Sequence, residues 1–208
     1  MRDVRVVLIG GTSNVGKSTV AQLVAEKLGF ACLSTDGLAR HPGRPWRTPE
    51  REVPAHVAEH YATLTVDELI TSVLGHYERL WPRIHDLIAT HAAEGGADTG
   101  LVLEGSALWP VRLAGLDVAR TAAVWLTADA AVLRARVHAA GHYEQATGEE
   151  QALMDRFLAR SERFQGLMVE ALDELGLDRI DAGADRSVGV LVDAVLAAVV
   201  RQSGAAGP

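Results

Sequence analysis

"GGTSNVGKST" (residues 10–19) follows directly on the apolar run "VRVVLIG" (4–10). Gly11 through Ser18 match G-x-x-x-x-G-K-[ST], the phosphate-binding loop. The glycines let the backbone N–H groups of Gly11, Thr12, Ser13, Asn14, Val15 and Gly16 turn inward around phosphate oxygens. Such a loop needs a strand before it and a helix after it, and both are readable here. "VRVVLIG" is apolar on both faces, as a buried parallel strand is. From Ser18 to Leu28, the residues Val20, Leu23, Val24 and Leu28 recur at helical spacing, and Gly29 ends the run. The helix presents its positive end to the same anion. Lys17 is placed to reach the β- and γ-phosphates, Ser18 to ligate magnesium, and Thr19 follows in the first turn. The expected cofactors are ATP and Mg²⁺.

Phosphoryl transfer further needs a carboxylate for the acceptor and positive charge on the transferred group. Asp36 leaves the second apolar run, "FACLSTD" (30–36), and ligands of a parallel sheet sit at the carboxyl ends of its strands. It is a candidate to accept the acceptor proton, with a helix N-cap or turn as the other reading. Glu104 ends a third run, "LVLEGS" (101–106), and is a candidate for the magnesium shell or a substrate hydroxyl; the other reading is a capping carboxylate. Arg134 and Arg136 lie on the helix after the fourth run, "AAVWLTA" (122–128). Arg156, Arg160 and Arg163 share one face of a later helix, and none has an acid three or four positions away. An incoming anion would satisfy that face, as would acids from another element.

The chain between these points alternates strands and helices. Residues 37–60 read as a long loop; "RHPGRPWRTPEREVP" carries four prolines. Arg40, His41, Arg44, Trp46 and Arg47 crowd it and could line an acceptor site, arginine favouring carboxylate or phosphate. Ordinary loop polarity around one anchoring tryptophan is the other reading. A long amphipathic helix follows, with a capping box at Thr65 and Glu68 and an expected kink or break at Pro82. "GHYEQATGEE" (141–150) reads as polar and mobile, a second long helix covers about 150–175, "LDRIDAG" (177–183) is a fifth strand, and a last helix spans about 187–200. Five buried strands alternating with helices make an α/β layered fold with a parallel sheet in a single domain.

Composition narrows the function classes. A length of 208 residues fits one domain with a real core, and a net charge of −7 argues against broad nucleic-acid binding. Cys32 is the sole cysteine, so no disulfide can form within the chain; a buried thiol and a reducing, cytoplasmic setting are expected. No apolar run reaches membrane-span length, so no membrane association is expected. A homodimer is allowed, and the expected partner is a small-molecule acceptor. "HVAEH" (56–60) matches the inverted zinc-protease motif H-x-x-E-H without its fold context. "DELG" (173–176) matches D-x-x-G of nucleotide switches but lies at a helix end, and no N-K-x-D guanine motif is present.

These residues resemble the P-loop small-molecule kinases, the gluconate, shikimate and nucleoside/nucleotide kinase group. "GGTSNVGKST" with "STD" is most similar to 2-phosphoglycerate kinases and related proteins. The resemblance implies a three-layer P-loop NTPase fold with a five-stranded parallel sheet in order 2-3-1-4-5. It also implies a helical substrate-binding insertion at about 37–97 and an arginine-bearing lid at about 137–165. Gly16, Lys17, Ser18 and Thr19 match the phosphate loop, Asp36 the substrate-side aspartate, and Arg136 the first lid arginine. Ala140 stands where a second lid arginine is common, which shifts weight to Arg156, Arg160 or Arg163. The activity implied is transfer of the γ-phosphoryl of Mg·ATP to a hydroxyl of a small metabolite, anionic ones included. A non-catalytic ATP-binding module is the alternative.

Overall fold

The computed structural model describes residues 4–39, 42–48, 52–93, 96–116 and 118–205. Its centre is a five-stranded, all-parallel sheet in the order β2-β3-β1-β4-β5. The strands are β1 (Val6–Gly11), β2 (Ala31–Ser34), β3 (Leu101–Glu104), β4 (Thr121–Thr127) and β5 (Arg179–Asp181). The helices are α1 (Lys17–Leu28), α2 (Ala55–Thr63), α3 (Val66–Ala92), α4 (Pro110–Ala114), α5 (Ala130–Gly141), α6 (Gly148–Leu175) and α7 (Val188–Ala205).

β1 shows why the fold has three layers. All six of its residues are buried, and period-2 alternation sends them to opposite faces. Val7 and Ile9 join a core with residues of α1, α5 and α7, whereas Val6 and Leu8 join a second core with α3 and α4. α6 contributes to both, through Phe157 and Leu158 on one side and Phe164, Met168 and Leu172 on the other. β2 is different: it is an edge strand with alternating exposure, and Cys32 is only half-buried rather than enclosed.

Several expectations about the helices are met and others are corrected. Gly29 caps α1 in the left-handed region at φ 67°, and Thr65 with Glu68 forms the capping box of α3. Pro82 does not break α3, which runs unbroken through it. Loss of one helix bond and the ring clash cost about 3 kcal/mol. Buried Val73 and Leu80 before the proline and Ile84 and Ile88 after it each contribute about 1.5–3 kcal/mol, so packing on the sheet outweighs the defect. The long loop is shorter than expected because α2 starts at Ala55. The 141–150 segment carries local structure of its own. It holds a 3₁₀ turn at Tyr143–Gln145, the Tyr143 ring stacks on His138 at 3.9 Å, and Thr147 with Glu150 forms a capping box.

Two glutamines complete the sheet where strands run out. β5 pairs only with Trp125–Thr127 of β4, and below it the Gln202 carboxamide accepts from Ala123 N–H and donates to Ala123 C=O, both at 2.9 Å. Where β1 leaves the sheet after Gly11, Gln165 of α6 does the same for Ala128, accepting at 3.1 Å and donating at 2.6 Å.

β1 can pass close to β4 only because residue 10 has no side chain. A Cβ there would lie 2.2 Å from Cδ1 of Trp125, which is fully buried and donates its indole N–H to Leu108 C=O at 2.8 Å. Gly10→Ala is therefore expected to destabilise the protein by about 2–4 kcal/mol, through overpacking and a strained indole hydrogen bond. Chemical denaturation measures this; an unchanged midpoint would mean that the indole is free to yield.

Candidate active site

The phosphate loop forms where β1 ends. Gly11 (φ 140°), Asn14 (φ 61°) and Gly16 (φ 102°) take positive φ, which turns the chain back on itself before α1 begins at Lys17. The N-cap Gly16 offers no side-chain cap and the first turn of α1 holds no acid, so the helix end is left for an anion. Thr12 is buried, and its hydroxyl donates to Ser161 C=O at 3.0 Å. Val15 packs its side chain in the core, leaving its backbone to the loop. Ser13, Asn14, Gly16, Lys17, Ser18 and Thr19 line a cavity of about 800 Å³ at the carboxyl ends of β1, β2 and β3.

Lys17 is 8 % exposed and its Nζ donates to Thr12 C=O at 2.7 Å. Burial pulls its pKa below the ordinary lysine value, Glu104 and Asp36 pull it back up, and Arg44 and Arg160 push it further down. Parallel register puts Glu104 beside Ile9 of β1 and Ser34 of β2. Glu104 is 5 % exposed, and its Oε1 accepts from Ser18 Oγ at 3.0 Å. Asp36 lies in the 3₁₀ turn Thr35–Gly37 and lines the same cavity. The cap of that turn is Ser34, whose Oγ accepts from Asp36 N–H at 3.3 Å, so the aspartate carboxylate is not the capping group.

The arginines separate by environment. Arg160 is 5 % exposed, lines the cavity and donates from Nη2 to Ser13 Oγ at 3.5 Å. Arg156 donates to Leu64 C=O at 2.9 Å, tying α6 to the start of α3, and Arg163 is exposed. Arg136, implied as a lid arginine, is not among the residues that line the cavity. Its guanidinium spans Val15 C=O and Ala182 C=O, both at 2.9 Å, and so braces the phosphate loop against the chain after β5. Arg44 lines the cavity, whereas Trp46 does not: it is 2 % exposed and buried edge-on against Phe157. An indole next to the apolar side of α6 is buried more favourably than exposed, which makes Trp46 the anchor of its loop. Arg40 and His41 lie outside the described residues.

Other groups line the cavity too, and of these only His56 falls in a motif, the HVAEH stretch. His56 of α2, His76 and Tyr77 of α3, Thr35 and Ser106 all line it. Tyr77 is pushed far above the usual phenol range, mainly by burial, and its hydroxyl pairs with the Ser106 side chain. Its place on the apolar face of α3 was readable, but the point where that face opens into a cavity was not. "HVAEH" falls on α2, where burial first and Arg160 second lower the pKa of His60. Among the described residues no group of three or more His, Cys, Asp or Glu side chains could hold a metal ion, so the zinc reading lacks a ligand set. "DELG" closes α6, with Gly176 as its left-handed cap.

A magnesium ion bound with nucleotide takes hard oxygen donors and keeps waters, so it needs few protein ligands. Ser18 Oγ and Glu104 Oε1, 3.0 Å apart beside the phosphate loop, fit that donor set. Among the described residues no helix is long and apolar enough to cross a membrane.

The family model described as "AAA domain" matches residues 7–156. No curated protein matches the chain. Several solved structures share its fold. A sugar kinase from Janibacter sp. HTCC2649 is 20 % identical with a TM-score of 0.52, covering 99 % of each chain. Shikimate kinase from Aquifex aeolicus is 12 % identical with a TM-score of 0.52, covering 97 % of this chain and 99 % of that one. A gluconokinase from Sinorhizobium meliloti 1021 is 19 % identical with a TM-score of 0.50, covering 98 % and 96 %. The five-stranded 2-3-1-4-5 sheet, the phosphate loop at the end of β1 and the family match over residues 7–156 agree: the chain belongs to the AAA domain family and has the fold of the P-loop small-molecule kinases.

Proposed function

We propose that the protein transfers the γ-phosphoryl group of Mg·ATP to a hydroxyl of a small metabolite, anionic metabolites included. The observation that carries this reading is the convergence of Lys17, Ser18, Glu104, Asp36 and Arg160 on one cavity. The loop amides and Lys17 hold the β- and γ-phosphates. Ser18 and Glu104 hold magnesium, which neutralises charge on the phosphate oxygens. Asp36 orients the acceptor hydroxyl and takes up its proton. Arg160 faces the transferred group and stabilises the charge that spreads over its oxygens. Arg44, with His56 and His76 in the same cavity, favours an acceptor bearing a carboxylate or phosphate.

Purified protein with Mg·ATP and a panel of hydroxylated acids, phosphorylated acids, nucleosides and polyols tests this by ADP release. Acceptor-stimulated turnover, strongest for an anionic acceptor, is expected. Nucleotide binding with no stimulation across the panel would favour a non-catalytic ATP-binding module.

A further inference from the structure

Arg160 has few polar ties for a buried cation. Among the described residues its guanidinium makes one hydrogen bond, to Ser13 Oγ at 3.5 Å, and its Nε is buried without a partner. What fixes it is a ring: its Cζ lies 4.8 Å from the centroid of Phe157, one turn earlier on α6. Phe157 in turn is met edge-on by Trp46, with centroids 4.9 Å apart and planes at 82°, and Tyr61 of α2 packs on it at a tilt of 52° with centroids 5.8 Å apart. Trp46 belongs to the loop that brings Arg44 to the cavity, and Arg44 Cζ lies 5.9 Å from the Trp46 ring. That loop is fixed at two further points. Tyr61 donates its hydroxyl to Gly43 C=O at 3.1 Å, and Arg47 pairs with Glu150 of α6 at 3.4 Å.

Two arginines thus reach one cavity from different elements, each seated on an aromatic ring, and the two rings touch. Like charges facing one cavity repel, and an aromatic face beneath each guanidinium offsets part of that repulsion. A cation–π contact needs the cation over the ring face and within about 6 Å of its centroid, so a tilt of Phe157 would turn its face from Arg160 and weaken the contact. Phe157 is held from tilting by Trp46, which comes from the acceptor side.

We infer that Trp46 is a positioning residue for phosphoryl transfer: through Phe157 it sets the Arg160 guanidinium at the phosphate loop, so that the acceptor loop and the phosphate charge clamp are seated together. This rests on the function proposed above, in which Arg160 faces the γ-phosphoryl group.

The test needs no acceptor. Calorimetry compares binding of Mg·ADP alone with binding of Mg·ADP plus beryllium fluoride, a stand-in for the γ-phosphoryl group. Trp46→Leu is expected to leave Mg·ADP affinity unchanged while losing roughly tenfold of the tightening that fluoride gives, and Trp46→Phe is expected to keep it. Arg160→Ala is expected to lose the same tightening, and adding Trp46→Leu to it is expected to cost nothing more. The inference is overturned if Trp46→Leu weakens both complexes equally, if its cost persists without Arg160, or if Arg160→Ala leaves the fluoride complex intact. Should Trp46→Leu lose cooperative melting, Trp46→Met is read instead with the same outcomes. A wild-type protein that binds no Mg·ADP would refute the nucleotide reading itself, before any substitution is made.

Discussion

Lys17→Ala is expected to lower turnover by roughly 100- to 1000-fold or more while the protein still melts cooperatively. The lysine is buried at the start of α1 with its amine held by Thr12 C=O, inside the loop it serves. Removing it takes away the one ammonium among the cavity-lining side chains, and no neighbour can replace it, because Arg160 and Arg44 come from other elements. The fold should tolerate the change because the charged amine itself resists burial. Its pKa is held below 10.5 chiefly by desolvation, and the folded state gains by losing that charge. The same shift gives a signature in the wild type. Polyphosphate stabilises the protonated amine, so nucleotide binding takes up protons at alkaline pH. Affinity should fall as pH rises through the lowered pKa, beginning below the range where an ordinary lysine titrates. Activity retained in Lys17→Ala, or affinity flat to pH 10.5, would remove Lys17 from the phosphate site.

Asp36→Asn is expected to reduce turnover roughly 100-fold or more with little change in Mg·ADP affinity. The amide keeps the shape and can still accept a hydrogen bond, but it cannot take a proton. Ser34, not Asp36, caps the 3₁₀ turn, so the substitution should leave the local backbone in place. Asp36 also supports the charge on Lys17, which predicts a modest further drop in the lysine pKa of the variant. Steady-state kinetics with an acceptor found by ADP release, beside calorimetry with Mg·ADP, separate the two effects. An unchanged rate would leave Asp36 with an electrostatic role only.

Much of the architecture was legible because it rests on local rules. The phosphate loop requires a strand before it and a helix after it, and short apolar runs bounded by turn residues mark the five strands. Thr65 with Glu68 and Gly29 marked helix ends through their own side chains or the lack of one. What was not legible depends on partners distant in the chain. Pro82 reads as a break until the packing on both sides of it is counted. α4 (Pro110–Ala114) is too short to show a period. Trp46 sits among arginines and reads as part of a polar site, yet Phe157, over a hundred residues later, draws it into the core. Arg136 sits on a helix where a lid arginine was implied, but its bonds go to two backbone carbonyls. Within the arginine face of α6, spacing shows that the three share a side; only the packing shows that Arg160 alone turns into the cavity.

The bonds that fasten α6 to the sheet bear on how fast such a site can act. Thr12 of the phosphate loop is tied to Ser161, and Gln165 stands in for the departed strand at Ala128, so the stretch of α6 that follows directly on Arg160 shares a frame with the phosphate loop and β4. A cation carried in on a swinging flap must be reoriented in every catalytic cycle. On the proposed reading, one mounted on the chassis is already aimed when the nucleotide arrives, and the expectation is that acceptor entry or product release, rather than the transfer step, sets the pace.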